Sequence, residues 1–158
     1  VENDAIIQAL SQLKEAVGDR VILTAGKMHA SGILSEAGEK ILTENEVESF
    51  VDAGADVILL PAPGTVPGIS MEYAAKLIKR AHEMGALAMT TIGTSQEGAD
   101  EDTIRQIALM CKMAGADIHH IGDSGYMGMA LPENIMAYSV AIRGKRHTYR
   151  RMAVSLLR

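Results

Sequence analysis

The sequence has few aromatic residues, one cysteine and no long apolar segment. It contains no tryptophan, one phenylalanine and four tyrosines among 158 residues, against ten methionines, which favours an adaptable core or a buried partner surface. The single cysteine, Cys111, has no partner for an internal disulfide, so a reducing, cytoplasmic location is expected. The apolar runs are far too short to cross a bilayer, and the sequence predicts no association with membranes.

Positive charge is also scarce. The formal net charge is −5 at pH 7, which argues against a nucleic-acid-binding protein. An apolar stripe runs along the most basic part of the chain, and residues 145–158 are therefore predicted to form a basic helix that packs on a sheet or on another subunit. The stripe consists of Tyr149, Met152, Ala153 and Leu156. Six cations lie close to this segment or in it, at positions 143, 145, 146, 150, 151 and 158.

A short motif of glycine between small or apolar residues recurs about every 30 residues, around Gly54, Gly85 and Gly115. Each copy ends a helix-like stretch and begins a short apolar run, a pattern typical of consecutive βα units that build a parallel sheet. A fourth apolar run follows Gly18 one period earlier. The predicted strands are 21–25, 56–60, 87–92 and 117–121, and the predicted helices are 3–18, 43–53, 71–84, one from a cap at Asp100 or Asp102 to about 113, and 132–142.

Four βα units are half of an eight-stranded barrel. The chain begins on an amphipathic helix rather than on a strand, which favours the C-terminal half of a larger (β/α)8 barrel. At 47 % hydrophobic residues it can bury one core, so 1–158 is predicted to be a single α/β domain. The alternative is a small open parallel sheet with helices on both faces.

Functional residues are expected in the loops after the strands, because parallel sheets carry their reactive groups at the carboxyl ends of the strands. The loop after the fourth strand contains Gly122, Asp123, Ser124 and Gly125. It offers backbone N–H groups, a hydroxyl and a carboxylate, and glycines let such a loop approach a phosphate closely. The alternative interpretation is a tight turn that needs glycine for its backbone geometry.

Two adjacent histidines, His119 and His120, precede that loop. Neighbouring residues of a strand point to opposite faces, so at most one of them enters a site. An imidazole at the end of a strand, close to Asp123, suits general acid–base catalysis. The alternative is a hydrogen-bonded core histidine.

The ends of the first and third predicted strands add further polar groups. Lys27 can neutralise a phosphate or carboxylate, or form a Schiff base if desolvated, and His29 lies two residues later. Thr91 and Thr94 can donate hydrogen bonds to an anion, although hydroxyls in such turns often bond their own backbone. No metal site is predicted, because the histidines and acidic residues near these loops lack ligand spacing.

With these motifs in place, the repeat and its final Gly122–Gly125 loop resemble the C-terminal half of (β/α)8-barrel enzymes of the phosphoenolpyruvate mutase and phosphonopyruvate hydrolase group. The resemblance implies lyase, mutase or hydrolase chemistry on a small phosphorylated, phosphonate or carboxylate substrate. Residues 121–124 are also similar to the last motif of haloacid dehalogenase-like hydrolases, G-D-x-x-x-D, of which this chain has the first aspartate, Asp123. That motif binds magnesium in the dehalogenase-like hydrolases, so this resemblance implies magnesium as a candidate cofactor.

The combined prediction is a barrel-type enzyme acting on a small anionic metabolite. Lys27, the 122–125 loop and the threonines would bind the substrate, with His29 at the same rim, and His119 or His120 would move a proton with the help of Asp123. The alternatives are a dehalogenase-like hydrolase and a non-catalytic βα assembly module. Self-association is expected in every case, because an isolated half barrel exposes two strand edges.

Overall fold

Helices and strands alternate along the chain in a computed structural model that describes residues 3–27, 37–93, 95–122 and 130–154. Within these ranges the strands are β1 (Thr24–Gly26), β2 (Val57–Pro61), β3 (Leu87–Ile92) and β4 (Ile118–Ile121). The α-helices are α1 (Asn3–Val17), α2 (Glu44–Asp52), α3 (Met71–Glu83), α4 (Glu101–Ala114) and α5 (Pro132–Ala153).

The four strands form one parallel sheet in the order β1-β2-β3-β4. Parallel crossovers are right-handed, so a sheet built in chain order places every connecting helix on the same face. The packing agrees, since Ala88 contacts the core below α3 while Ile92, on the same face of β3, contacts the core below α4 and α5. The predicted half of a (β/α)8 barrel is therefore confirmed, and the helices of the described ranges lie on one face of the sheet rather than on both as in the alternative.

The helices begin where local sequence predicts. Thr43 and Glu46 form the capping box of α2, the Ser70 hydroxyl accepts from the Tyr73 backbone N–H, and the Asp100 side chain caps α4. Pro132 begins α5. These contacts involve residues at most three apart, so the sequence itself determines them.

The repeated glycines end the helices. Gly54, Gly85 and Gly115 have φ values of 109°, 85° and 96°, in the left-handed region that favours glycine. Gly144 interrupts α5 in the same way, with φ of 78°. The predicted basic segment that follows it is helical as far as Ala153.

An aspartate follows two of the repeated glycine motifs and joins neighbouring strands at their amino ends. The Asp56 carboxylate accepts the Leu23 backbone N–H at 2.8 Å, and the Asp117 carboxylate accepts the Ala88 backbone N–H at the same distance. The side chain substitutes for a ladder partner at the point where the strand pairing starts. These two contacts stabilise the amino end of the sheet.

The first strand is shorter than predicted and begins later. The prediction placed it at 21–25, whereas β1 is Thr24–Gly26. Because β1 is an edge strand, its length depends on β2, whose pairing with it begins at Val57. Before β1, Leu23 still bonds to Asp56 and to the Val57 backbone N–H, whereas Ile22 is 75 % exposed.

The core lies between the sheet and the helices. Its largest fully buried side chains include Phe50 of α2, Ile58 of β2, Ile78 of α3 and Ile104 of α4. The opposite face of the sheet has no layer over it among the described residues. In a closed barrel this second face is the interior, so it is the face on which a site at the strand ends is expected.

Candidate active site

A pocket of about 280 Å³ lies at the carboxyl ends of the strands. We call it the rim pocket. Its lining contains four of the residues that the sequence predicts for a site: Lys27, Thr91, His120 and Gly122. The rest of its lining is Ile41, Leu59, Pro61, Thr65, Val66, Ile92 and Gly93. Five other predicted site residues, His29, Thr94, Asp123, Ser124 and Gly125, lie outside the described residues.

Lys27 follows β1 and extends its side chain into a largely buried environment. Its Nζ lies 3.0 Å from Oε1 of Glu46, and the two side chains are only 5 % and 14 % exposed. The sequence leaves open whether Lys27 is a binding cation, a Schiff-base amine or a solvated surface residue. The structure excludes the solvated surface residue and presents the amine as one half of an ion pair.

Glu46 accepts four hydrogen bonds. Its Oε2 accepts from the backbone N–H and the hydroxyl of Thr43, at 2.6 and 3.0 Å. Its Oε1 accepts from Lys27 and, at 2.5 Å, from Nδ2 of Asn3 at the start of α1. Burial by itself raises the pKa of Glu46, but these donors outweigh it and the pKa is lowered overall. A carboxylate is therefore maintained beside Lys27.

His120 lines the rim pocket and its neighbour His119 does not. His120 pairs with Thr91 across β3 and β4, and both side chains lie on the open face of the sheet. His119 lies on the helix side, where its Nδ1 is 3.1 Å from the Tyr138 hydroxyl and its ring meets that ring edge to face. The alternation along β4 thus assigns one histidine to the pocket and the other to the packing between β4 and α5.

His119 is half-buried and belongs to a polar cluster with the buried residues Thr90, Cys111 and Tyr138. Burial lowers the pKa of His119, and Arg143 adds to this effect while Asp117 opposes it. Burial also raises the pKa of the Cys111 thiol and of the Tyr138 hydroxyl. These shifts keep all three groups uncharged around neutral pH. The cluster is a neutral polar part of the core, behind the sheet from the rim pocket.

The other two predicted residues in the pocket have their donors engaged. The Thr91 hydroxyl donates to the Leu60 carbonyl at 3.2 Å, and the Gly122 N–H donates to the Ile92 carbonyl at 2.9 Å. The sequence predicts free donors for an anion here, and that prediction does not hold for these two groups. Gly122 serves close packing instead, since a Cβ at this position would lie 2.9 Å from the Ile92 oxygen.

A comparison with known proteins places the chain in a family. A family model whose description is Domain of unknown function (DUF7916) matches residues 1–158. The chain belongs to this family.

Two curated relatives each match a little over half of the sequence. A protein from Haemophilus influenzae, with the provisional name N-acetylmannosamine-6-phosphate 2-epimerase, is 35 % identical over 88 residues, which is 56 % of this chain and 33 % of that protein. A protein of the same provisional name from Actinobacillus pleuropneumoniae serotype 5b is 33 % identical over 87 residues, 55 % of this chain and 32 % of that protein. The matched part is thus about a third of each relative.

Solved structures confirm the architecture. A deoxyribose phosphate aldolase from Aeropyrum pernix superposes with a TM-score of 0.63 at 18 % identity. The superposition covers 89 % of this chain and 57 % of the aldolase chain. A protein from Burkholderia cenocepacia J2315, provisionally named a phosphonomutase, superposes with a TM-score of 0.62 at 17 % identity. That superposition covers 91 % of this chain and 60 % of the phosphonomutase chain. The expected resemblance to phosphonomutase-type barrels is confirmed at the level of the fold, and the chain spans a little over half of each neighbour.

Sequence analysis of this family member missed Glu46 as part of the site. The spacing of Thr43 and Glu46 matches a capping box and so indicates only a helix cap, and nothing in the sequence places Glu46 next to Lys27, nineteen residues away. A cation after one strand and a spare carboxylate oxygen at the start of the next helix are the signal that would have found it. In a βα unit both positions lie at the same end of the sheet.

Sequence analysis also missed the hydrogen bonds that join α5 to the loop after β3. Nδ2 of Asn134, in α5, donates to the carbonyls of Glu97 and Ala99, each at 2.8 Å, and Asn134 is fully buried. The same loop contains Ser95 with a φ of 73°, an unusual backbone for a residue with a side chain. Oε2 of Glu97 is buried and has no hydrogen-bond partner among the described residues.

Within residues 3–27, 37–93, 95–122 and 130–154, no group of three or more histidine, cysteine, aspartate or glutamate side chains is arranged to hold a metal ion. No helix in that part of the chain combines the length and apolar character needed to cross a membrane.

Proposed function

We propose that this chain forms the catalytic rim of a barrel-type enzyme that acts on a small phosphorylated metabolite. The observation that carries the proposal is the rim pocket, which is lined both by Lys27, held in a buried ion pair with Glu46, and by His120, at the carboxyl ends of parallel strands. The curated relatives support this substrate class, because their names specify a phosphorylated amino sugar.

The chemistry we infer is movement of a proton at a carbon next to a carbonyl, as in an isomerase or lyase. His120 removes the proton, since imidazole exchanges protons near neutral pH, and a proton returned to the opposite face of the same carbon gives the epimer. The electron pair of the broken C–H bond passes to the carbonyl oxygen as an enolate. Lys27, as a fixed cation, stabilises that negative oxygen or binds the phosphate.

The ion pair favours this binding role of Lys27 over a Schiff base. A Schiff base forms through the lone pair of Nζ, whereas Nζ is engaged with the Glu46 carboxylate at 3.0 Å. The 2-epimerase names of the relatives favour an isomerase over the hydrolase alternative. Magnesium remains open as a cofactor and is tested as a separate arm of the experiment.

The first test is ligand binding measured by thermal denaturation. The panel is N-acetylmannosamine 6-phosphate, other sugar phosphates, phosphonopyruvate and inorganic phosphate, each with and without magnesium. A ligand at a hundred times its Kd adds about 2.7 kcal/mol to the free energy of unfolding. Stabilisation by phosphorylated sugars and not by their unphosphorylated forms is expected. An unchanged melting temperature across the whole panel would contradict the proposed substrate class.

The second test addresses the proton. Turnover in D2O should introduce deuterium into the substrate, detected by mass spectrometry, if a C–H bond is broken and remade. His120→Asn should lower the rate by about 100-fold or more. His147→Asn, on the exposed basic part of α5, is the matched control and should leave the rate unchanged. Equal rates for the two variants would remove His120 from the mechanism.

We also propose that the protein self-associates through the open face of the sheet and acts in the cytoplasm. Ile22 and Leu87 are exposed there, at 75 % and 48 %, and each of the edge strands β1 and β4 has one unpaired side within the described sheet. Sedimentation velocity should show a species larger than one chain. Ile22→Glu should shift it towards the monomer, whereas Leu109→Glu on the outer face of α4 should not.

A further inference from the structure

We propose that Glu46 is a positioning residue that holds the ammonium group of Lys27 in the rim pocket. This inference rests on the proposed function, in which Lys27 contacts the substrate. Glu46 is not one of the described residues that line the rim pocket. It therefore acts through Lys27 rather than on a bound molecule.

The two carboxylate oxygens of Glu46 have separate partners. Oε2 completes the capping box of α2 through both donors of Thr43. A capping box needs only one carboxylate oxygen. Oε1 is therefore available for other partners, and it accepts from Lys27 and from Asn3 of α1. One side chain thus joins the starts of two helices to the residue that follows β1.

The burial of this pair separates it from an ordinary surface ion pair. Lys27 and Glu46 are 5 % and 14 % exposed, whereas Lys76 and Glu44, a pair that also uses the first turn of α2, are 58 % and 36 % exposed. An exposed pair contributes little to any property of the protein. A buried ammonium, in contrast, depends on its counter-ion, because it has lost most of its hydration.

The geometry also restricts where Nζ can lie. The side chain of Glu46 is held by Thr43 on one side and by Asn3 on the other, so it does not follow Lys27 if the lysine moves. Lys27 therefore approaches a fixed carboxylate, and its ammonium stays at one position on the pocket wall. A charge fixed in advance stabilises a developing negative charge without rearrangement.

The test separates the cap from the ion pair. Glu46→Gln keeps a side-chain oxygen for the Thr43 N–H but removes the negative charge and turns an amide N–H₂ group towards Lys27 and Asn3. Glu44→Gln, on the same helix turn, is the matched control. Both substitutions are made in the native chain and in a Lys27→Met background. Binding of N-acetylmannosamine 6-phosphate and inorganic phosphate is measured by calorimetry, and KM and kcat are measured with the substrate found above.

Glu46→Gln should weaken ligand binding or lower kcat/KM by about tenfold or more, within the range of coupled residues, while Glu44→Gln changes neither. In the Lys27→Met background, Glu46→Gln should have no further effect on either quantity. Equal effects of Glu46→Gln in both backgrounds would overturn the inference, as would native-like binding and kcat/KM in Glu46→Gln itself.

Two outcomes distinguish this inference from the proposed function. If Lys27→Met leaves binding and kcat/KM unchanged, the proposed function fails and this inference fails with it. If Lys27→Met lowers them to a level that is still measurable while Glu46→Gln behaves like Glu44→Gln, only the role of Glu46 is lost. Should Glu46→Gln be poorly folded, adding Lys27→Met is expected to restore its stability towards that of the native protein, because the unpaired buried cation is gone. No restoration would contradict the inference.

Discussion

The carboxylate of Asp117 should make a large and pH-dependent contribution to stability. It accepts the Ala88 backbone N–H at 2.8 Å at the start of β3, and it lies 2.7 Å from Nε2 of His82 in α3. Its side chain is 32 % exposed. Hydrogen bonds to a charged group are each worth about 1.5–3 kcal/mol, and partial exposure reduces this. We expect Asp117→Asn to lower the free energy of unfolding at pH 7 by about 2 kcal/mol.

The sign of the pH dependence follows from the pKa of Asp117. Burial raises that pKa, but the hydrogen bonds from His82 and Ala88 outweigh burial and lower it overall. A carboxylate whose pKa is lower in the folded state stabilises the protein above its unfolded pKa, about 3.9. The contribution is lost as the pH falls through the folded pKa. The native protein and Asp117→Asn should therefore converge in stability in strongly acidic solution.

The assay is urea denaturation followed by circular dichroism at pH 7, 5 and 3. Asp19→Asn is the control, because the side chain of Asp19 is 96 % exposed and its partner is a surface lysine. That control should unfold like the native protein at every pH. If Asp117→Asn costs as much at pH 3 as at pH 7, the loss does not come from the charge. If it costs nothing at pH 7, the strand-joining role of the carboxylate is wrong.

Two other predictions concern the rim and the buried thiol. Gly122→Ala places a Cβ 2.9 Å from the Ile92 carbonyl oxygen, so it should displace the end of β4. We expect it to lower the free energy of unfolding by about 1–3 kcal/mol in urea denaturation and to weaken ligand binding at the rim pocket. Unchanged ligand binding would show that the rim pocket does not depend on Gly122. Cys111 is fully buried, and burial raises the pKa of its thiol. A thiol reagent such as dithionitrobenzoate should therefore modify it only at urea concentrations that unfold the protein. Rapid reaction of the native protein would contradict the packing between β4, α4 and α5.

Much of the architecture follows from local sequence. Thr43, Ser70 and Asp100 begin helices because each side chain binds a backbone N–H two or three residues away, and this contact needs no tertiary structure. The repeated glycines end helices for an equally local reason, since they adopt a left-handed backbone. The third strand was predicted at 87–92 and is found as Leu87–Ile92, because its apolar run is bounded on one side by such a glycine.

The limits of prediction appear where a residue depends on a distant one. The first strand begins at Thr24 rather than at residue 21, since the length of an edge strand is set by its only neighbour. Alternation along β4 predicts that His119 and His120 point to opposite faces, but sequence does not tell which face is which. That choice depends on the register with β3, which pairs Thr91 with His120, and on the helices covering the other side.

The sequence by itself thus determined the βα order, the helix caps and the end of the sheet at which polar residues gather, because these depend on contacts within a few residues and on the handedness of parallel crossovers. Only the tertiary structure decided which of these residues share a pocket. Lys27 meets Glu46 because the chain returns to the same rim to begin α2, and His120 joins Lys27 at the rim pocket from three strands further along the sheet. Such meetings depend on register, burial and the loss of hydration, which no local pattern encodes.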